Sequence, residues 1–432
     1  MMKLTRFVTS VACLAFWGCS LFNPAQRILP PASSPSIIAG LKSEAQAAVF
    51  PYVEEDQKTV LHALRGAQFF PAQFKRQPAL QTLTDPWSGF IALEDRGQLL
   101  GSIALQRGNR LPALLNELEP GMERSSPVIT TPTMPEDNVK NHLAYLLALL
   151  EQTQALRAQA LQRLAQPDRQ FLFAHAADIV EHFSPQRSGQ SPDEMDRAER
   201  DLKFMQLVDQ HMHYGALAAA AEHLAQLDND QWLQQFEVVF RGRQAIQTTV
   251  EGVTGDLLLV YQAPAGLIVI GGPGPNTYLL DQRFAMVIDV GGDDTYRGMI
   301  AAASDAEHGI HVVIDLSGND CYEASPLGLA TGRLGVGLLV ERRGDDRYHF
   351  APGSGGAGFA GIGILHDKGG HDRYEGAKWT QGVAAGGLGA LIDDAGDDTY
   401  TSFGYAIGFG GPLGVGAVLD VSGDDSYQCG ET

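Results

Sequence analysis

Pairs of acidic residues recur at regular spacing in the carboxy-terminal part of this 432-residue chain. Each pair belongs to a segment of the form Gly-Asp-Asp-x-Tyr, in which Asn or His sometimes replaces the first aspartate. Six copies end at Tyr296, Tyr322, Tyr348, Tyr374, Tyr400 and Tyr427, and the degenerate segment Gly274-Pro-Asn-Thr-Tyr278 precedes them. The position numbers of successive tyrosines differ by 18, then by 26 four times, and finally by 27. Such spacing indicates a tandem array with one structural unit per copy.

A further acid stands five residues before the second position of every acidic pair. These acids are Asp289, Asp315, Glu341, Asp367, Asp393 and Asp420. If each copy forms one coil of a parallel stack, equivalent side chains lie about 4.8 Å apart. Two bare carboxylates at that separation repel each other by roughly 3.5 kcal/mol at an effective dielectric constant of about 20. The acids therefore require either cations between the coils or backbone amides that satisfy them.

Calcium suits such columns, because it prefers oxygen ligands and tolerates irregular shells of about 6 to 8 of them. The alternative is turn chemistry, in which one aspartate per coil hydrogen-bonds to the backbone of its own turn and needs no metal. The calcium hypothesis predicts the following ligands: Asp289, Asp293, Asp294, Asp315, Asp320, Asp345, Asp346, Asp367, Asp372, Asp393, Asp397, Asp398, Asp420, Asp424 and Asp425.

The repeated turn resembles the second half of the repeats-in-toxin (RTX) nonapeptide, Gly-Gly-x-Gly-x-Asp-x-apolar-x. That family forms a calcium-bound parallel β-roll in secreted bacterial proteins. The matching glycines are Gly292, Gly318, Gly344, Gly370, Gly396 and Gly423, and the resemblance implies Asp294, Asp320, Asp346, Asp372, Asp398 and Asp425 as ligands. Here an acid and a variable residue replace the leading Gly-Gly, and the period is 26 instead of nine. The resemblance therefore implies an aspartate-rich calcium turn but not the roll geometry.

The acidic turns need short strands to hold them in register. Apolar, glycine-rich segments such as Leu334–Val340 and Leu413–Leu419 precede them, and 38 of the 49 glycines follow residue 250. This composition predicts one coil of a parallel β-helix per copy. The expected fold class is α+β and multidomain: a helical domain at 138–248, followed by a parallel β-solenoid of six to seven coils at 249–432.

Helical periodicity and capping signals predict four helices before the array. The first spans 138–165, the second runs from Asp168 to Phe183, the third is one long helix from Ser191 to about Leu227, and the fourth starts at Asp230. His175, Asp178 and His182 share a helical face, and His211 lies on the next helix, so a metal site between helices is conceivable. Their spacing matches no known metal motif, and isolated histidines are commoner.

The amino terminus predicts export. Met1–Arg6 is basic, Phe7–Gly18 is apolar but too short to span a bilayer, and Cys19 follows. This signal peptide at 1–19 resembles that of bacterial lipoproteins, which implies lipidation of Cys19, although Phe16 and Trp17 depart from the usual motif. Plain secretion and an uncleaved anchor are the alternatives. A tether at 20–49, a small mixed domain at 50–118 and a linker at 119–137 follow, and the expected location is the cell envelope or the exterior.

Charge narrows the expected partners. The net charge is −20, and residues 251–432 contain 25 acidic against 9 basic side chains. This excess excludes nucleic acid, whose backbone requires a basic surface, and favours cations. The sequence predicts a structural or adhesive module anchored to the membrane by lipid, with self-association through an uncapped last coil. The alternative is a β-helix hydrolase or lyase acting on an envelope polysaccharide, although no standard catalytic motif occurs in the sequence.

Overall fold

The computed structural model describes residues 102–103, 110–118, 133–135, 138–182, 192–303 and 305–430. The predicted signal peptide, Cys19, the tether and most of the 50–118 segment lie outside these residues. Two compact units divide the chain. One consists of Met1–Ser102, Gly121–Glu123 and Phe183–Glu199, and the other of Ile103–Pro120, Arg124–His182 and Arg200–Thr432. The second unit contains the solenoid and nearly all of the described helical residues.

The described residues before the solenoid form six α-helices. They are α1 (Leu111–Leu118), α2 (Val139–Leu161), α3 (Gln166–His182), α4 (Pro192–His211), α5 (Tyr214–Leu224) and α6 (Asp230–Arg241). The predicted starts of α2 and α6 are confirmed, because Asn138 and Asn229 cap them by accepting hydrogen bonds from backbone N–H groups three residues on. The helix predicted from Asp168 begins two residues earlier, and Asp168 lies in its first turn.

The single long helix predicted from Ser191 to about Leu227 is wrong. Its span is divided into α4, α5 and a 3-10 turn at Ala225–Asp228. The break occurs at His213, which has a non-helical φ of −93° and ψ of 84°. The backbone N–H of His213 donates to the carbonyl of Ala160 on α2 (2.9 Å), and its ring accepts a hydrogen bond from the Ala216 N–H (3.2 Å). Tertiary contact and a new cap therefore replace the helical bonds that local sequence favours.

Nineteen strands follow in the described residues. They are β1 (Val253–Thr254), β2 (Leu257–Ala263), β3 (Gly266–Gly271), β4 (Thr277–Leu280), β5 (Phe284–Asp289), β6 (Thr295–Ile300), β7 (Ile310–Asp315), β8 (Cys321–Leu329), β9 (Thr331–Arg333), β10 (Val336–Glu341), β11 (Arg347–Phe350), β12 (Ala357–Phe359), β13 (Ile362–Asp367), β14 (Arg373–Gly376), β15 (Ala384–Ala385), β16 (Leu388–Asp393), β17 (Thr399–Phe403), β18 (Val415–Asp420) and β19 (Ser426–Gly430).

These strands form a solenoid of about six coils, which confirms the predicted fold class. One eight-stranded sheet has the order β1-β4-β6-β8-β11-β14-β17-β19, a second has the order β18-β16-β13-β10-β7-β5-β3-β2, and a third contains β15, β12 and β9. Neighbouring coils pair in parallel, with Glu341 opposite Asp367 and Asp367 opposite Asp393. The period of the sequence repeat therefore places equivalent residues in adjacent coils. Among the named strands of the described residues, β1 and β2 alone pair antiparallel with their neighbours, at the amino-terminal end of the two large sheets.

Stacked tyrosines fill the interior of the solenoid. The seven rings from Tyr278 to Tyr427 lie 4.6–4.9 Å apart between neighbouring centroids and within 14° of parallel. The six from Tyr278 to Tyr400 are fully buried. The predicted aromatic ladder is confirmed, and it fixes the register of the acidic turns that end at these tyrosines.

The glycine of each acidic turn allows neighbouring turns to touch. A Cβ atom at Gly344 would lie 1.6 Å from the carbonyl oxygen of Gly318, and one at Gly370 would lie 1.5 Å from that of Gly344. No side chain fits at those distances. Glycine therefore lets the acidic turns stack directly on one another.

Candidate functional site

The acidic side chains form three parallel columns along the solenoid. We name the first residues of the acidic pairs the outer column: Asp293, Asn319, Asp345, His371, Asp397 and Asp424. Each of the first five side chains accepts a hydrogen bond from the backbone N–H of its counterpart one coil later, at 2.9–3.0 Å. This column is exposed. Asn319 and His371 make the same contact as the aspartates, so the outer column needs an acceptor but not a charge.

The second residues of the pairs form the inner column, which consists of Asp294, Asp320, Asp346, Asp372, Asp398 and Asp425. Each Oδ1 atom accepts a hydrogen bond from the backbone N–H of the preceding coil, at 2.5–3.0 Å. The contacts of the outer and inner columns thus run in opposite directions along the solenoid. Adjacent residues in the sequence therefore have different roles.

The acids at the ends of the second sheet's strands form the strand-end column, which consists of Asp289, Asp315, Glu341, Asp367, Asp393 and Asp420. All but one accept the hydroxyl hydrogen of the ladder tyrosine that precedes them in the chain, as in Tyr322–Glu341 (2.6 Å) and Tyr348–Asp367 (2.6 Å). Asp420 instead accepts from Tyr427. The other oxygen of the first five acids accepts a nearby backbone N–H.

The inner column keeps one oxygen without a donor. The Oδ2 atoms of Asp294, Asp320, Asp346, Asp372 and Asp398 are buried and have no hydrogen-bond partner among the described residues. These five side chains are 0–2% exposed. A buried carboxylate oxygen without a donor is costly to keep, so these atoms mark positions where a cation or a proton is required.

Inner and strand-end acids converge in five clusters of three. Within each cluster, one oxygen of every acid lies within 4.8 Å of one oxygen of the other two. The clusters are Asp289/Asp294/Asp315, Asp315/Asp320/Glu341, Asp346/Asp367/Asp372, Asp372/Asp393/Asp398 and Asp398/Asp420/Asp425. We refer to the twelve acids together as the acid row. All predicted ligands of the inner and strand-end columns are in it, whereas Asp293, Asp345, Asp397 and Asp424 are not.

Burial and mutual repulsion disfavour ionisation of the acid row. Burial first, and neighbouring carboxylates second, raise the pKa of Asp320 to about 10 and that of Asp346 to about 11. The same causes raise the pKa of Asp372 to about 9. Like charges this close in a buried site cannot all ionise without a compensating cation.

In the first coil, a hydrogen-bond donor occupies the place of an inner-column aspartate. Asn276 occupies the inner-column place in the degenerate copy, and its Nδ2 donates to Asp289 Oδ2 (3.0 Å) and to the Tyr278 hydroxyl (2.8 Å). Its Oδ1 accepts the Asp256 N–H (2.8 Å). The acid row therefore ends on a neutral amide that supplies hydrogens where the later copies have a bare oxygen.

Two sites differ from what the sequence alone suggested. Glu341 belongs to the acid row although it was not among the predicted ligands, and its place in the 26-residue register was the signal that could have included it.

In the helices, His175 lies between Asp178 (3.2 Å) and Asp201 (2.9 Å). His182 and His211 join no metal-competent cluster in the part of the chain that the structure describes.

A second buried charged group, here called the junction network, joins the helices to the solenoid. His366 on β13 contacts Asp228 of the 3-10 turn and Asp394, both at 3.1 Å. Lys368 contacts Asp228 at 3.1 Å, and Arg110 pairs with Asp394. Burial opposes ionisation of Asp228 and Asp394, but these cations outweigh it and lower the pKa of both carboxyl groups. Sequence could not suggest this group, because its members are far apart in the chain.

Comparisons with protein-family models, with curated proteins and with solved structures gave no significant match to this chain. Within the described ranges, no helix combines the length and apolar character needed to cross a bilayer.

Proposed function

We propose that this chain is an exported, lipid-anchored envelope protein whose β-solenoid is a structural or adhesive binding module stabilised by calcium within the acid row. The observation that carries the proposal is the set of five buried inner-column oxygens that have no donor and lie beside other carboxylates. At 0–2% exposure these acids cannot contact a polymeric substrate. A structural role for a bound ion therefore fits them better than catalysis.

Comparison of the two columns within one turn supports a cation. The outer column tolerates Asn319 and His371, because a neutral acceptor caps a backbone N–H as well as aspartate does. The inner column also caps a backbone N–H, yet all six of its members are aspartate. Burying a charge solely to make a cap that asparagine could provide would be unfavourable. The retained aspartates therefore imply a positive partner, either a metal cation or a proton.

The donor set favours calcium among the common cations. Each cluster offers carboxylate oxygens and no nitrogen or sulfur ligand, which suits a hard cation. The twelve acids form five clusters, so one divalent ion per cluster would balance ten of the twelve carboxylates. Magnesium demands a near-ideal octahedron and gives up its water reluctantly. The proposed export is compatible with calcium binding, because extracellular modules bind calcium at about 0.1 to 1 mM.

Thermal unfolding of paired variants tests the proposal. Asp346→Asn removes one carboxyl group from the acid row. Asp345→Asn changes the adjacent residue and places in the outer column the amide acceptor that Asn319 already provides there. In millimolar calcium we expect Asp346→Asn to lower the Tm and Asp345→Asn to leave it unchanged. In excess EGTA we expect the wild type to melt far lower, and Asp346→Asn to melt above it, because the variant needs neither a cation nor a proton at this buried position.

Protons are the competing partner. If shared protons satisfied the row, Asp346→Asn would be neutral or stabilising with and without calcium, and EGTA would not move the wild-type Tm. Terbium offers a second measurement, because a lanthanide bound in the row would lie beside the tyrosine ladder and show tyrosine-sensitised luminescence. Absence of both effects would refute the calcium proposal.

The lipid anchor has its own test. We expect Cys19→Ala to leave the precursor uncleaved or to release protein from the membrane fraction. Unchanged fractionation of this variant would contradict the anchor without affecting the calcium proposal.

A further inference from the structure

The two large sheets of the solenoid differ in what they leave exposed. In the second sheet, β7, β10, β13 and β16 are buried at every residue. In the first sheet, β11 and β14 bury their ladder tyrosines and expose the residue on either side of each one. The outward face of the first sheet is therefore accessible to another molecule.

The residues that immediately precede the ladder tyrosines form one row across this face. Parallel pairing places Arg347 between Cys321 and Arg373, and it places Thr399 on the other side of Arg373. We name the whole set the arginine row: Thr277, Thr295, Cys321, Arg347, Arg373, Thr399 and Ser426. The arginine row contains no acid, although acidic side chains outnumber basic ones by 25 to 9 in residues 251–432.

Two of these nine basic side chains, Arg347 and Arg373, have no hydrogen-bond or ion-pair partner in the described part of the chain. The other seven contact carboxylates or backbone carbonyls: Arg283, Arg297, Arg333, Arg342, Arg343, Lys368 and Lys378. The unpaired arginines lie directly opposite each other on strands about 4.8 Å apart. Like charges in that arrangement are destabilising, and sequences keep such local conflicts mainly where function requires them.

The acids around the arginine pair are few or already paired. Alternate residues of a strand point to one side, so the outer column borders the arginine row. Glu375 contacts His349 (3.2 Å), and Glu323 pairs with Arg297 (2.7 Å). In the three central coils, the outer column includes one carboxylate among its three members, which are Asn319, Asp345 and His371. The arginine pair is therefore a local surplus of positive charge in an acidic domain.

From this arrangement we infer that the first sheet binds a polysaccharide that carries widely spaced carboxylate groups, and that Arg347 and Arg373 together hold one carboxylate. A guanidinium group matches a carboxylate with two parallel hydrogen bonds. The hydroxyl groups of Thr399 and Ser426 in the same row can donate to and accept from neighbouring sugars. A net charge of −20 disfavours a densely charged polymer. The inference rests on the adhesive role proposed above and names its binding face and partner.

Binding of the full-length chain to carboxymethyl-dextran of low substitution, in calcium chloride, tests the inference, with unsubstituted dextran as the control polymer. We expect binding to the carboxymethylated polymer alone, and we expect added salt to weaken it because exposed charges are screened. Arg347→Gln and Arg373→Gln should each weaken binding about tenfold, the effect of losing one charged hydrogen-bonded contact. Arg343→Gln is the matched control and should leave the affinity unchanged, because it removes the same charge from a side chain that is 50% exposed and lies outside the arginine row.

Thermal unfolding of the same samples separates binding from folding. Arg347→Gln relieves its repulsion with Arg373, so its Tm should equal or exceed that of the wild type. Equal affinity of the wild type and the Arg347→Gln/Arg373→Gln double variant, or equal binding of the wild type to both polymers, would overturn the inference. Either result, with a Tm that still rises in calcium, would leave the calcium proposal standing. Arginine-dependent binding by a protein whose Tm ignores calcium would instead overturn the calcium proposal and support the inference.

Discussion

The acid row and the junction network both bury charged side chains, but they balance their charges differently. In the junction network, Asp228 and Asp394 lie against His366, Lys368 and Arg110, and their pKa values fall. In the acid row, Asp320 and Asp346 face only other acids and backbone, and their pKa values rise. Burial alone raises the pKa of a carboxyl group in both places, so the difference comes from the neighbours.

This contrast shows two ways to stabilise buried carboxylates. A single contact between helix and solenoid can include its own basic side chains, because it occurs once. A repeated turn cannot, since one basic residue per coil would stack like charges in a new column about 4.8 Å apart. A repeating acidic column is therefore better neutralised by ions from solution.

Removal of Asp228 should have the largest effect and should not depend on calcium. Asp228→Ala removes the fully buried carboxylate that contacts both His366 and Lys368, and breaking a buried ion pair typically costs about 3–5 kcal/mol. Urea unfolding should show the same loss in calcium and in EGTA. Asp230→Ala is the control, because Asp230 also contacts Lys368 (3.0 Å) but is 53% exposed, and exposed pairs contribute less than about 1 kcal/mol. A loss of stability that appeared only in calcium would contradict the view that the junction network is balanced independently of the acid row.

Alkaline pH should weaken the junction network while calcium protects the acid row. Burial lowers the pKa of His366, but Asp228 and Asp394 outweigh it and raise the pKa to about 9. The resulting stability is fully present below the unfolded pKa of about 6.5 and is lost as pH rises through about 9, for a total of about 3 kcal/mol. We expect urea unfolding in calcium to show this loss in the wild type and not in His366→Gln. If the wild type and His366→Gln lost stability equally at alkaline pH, the loss would come from groups other than His366.

Asn276→Asp should destabilise the amino-terminal end of the acid row by an amount that depends on calcium. In EGTA the change removes the amide that donates to Asp289 and Tyr278 and adds another carboxylate, so a loss of about 1–3 kcal/mol is expected. In calcium the loss should be smaller, because the new acid can join the ligands. Equal losses in both conditions would argue that Asn276 is only a cap.

The smallest effect is expected in the outer column. His371→Asn should change the free energy of unfolding by less than about 0.5 kcal/mol, since Asn319 already caps a neighbouring turn in the same way. His371→Ala leaves the Asp397 N–H without its acceptor and should cost about 1 kcal/mol. A calcium-dependent effect of either substitution would extend the metal site to the outer column.

Sequence predicted the solenoid and the tyrosine ladder because both follow from the 26-residue period. The predicted ligands included both columns, because burial and the direction of contacts, which distinguish Asp345 from Asp346, arise only when the coils stack. The break at His213 escaped prediction because a carbonyl on another helix causes it. The junction network could not be predicted for a similar reason, because Asp228 and His366 are 138 residues apart in the sequence.

The turn-to-turn contacts also bear on how such an array can change its length over generations. Each coil receives its caps from its neighbours and gives the same caps in return, so a duplicated repeat would insert between two existing coils without altering either. The sequence distance between the last two ladder tyrosines is one residue longer than each of the four distances before it. This difference shows where a coil can vary in length. Its added residue falls between Tyr400 and Asp420, away from the acidic turns. Gene duplication could therefore lengthen this array one unit at a time, and a difference in coil length is accommodated between the ladder tyrosine and the strand-end acid.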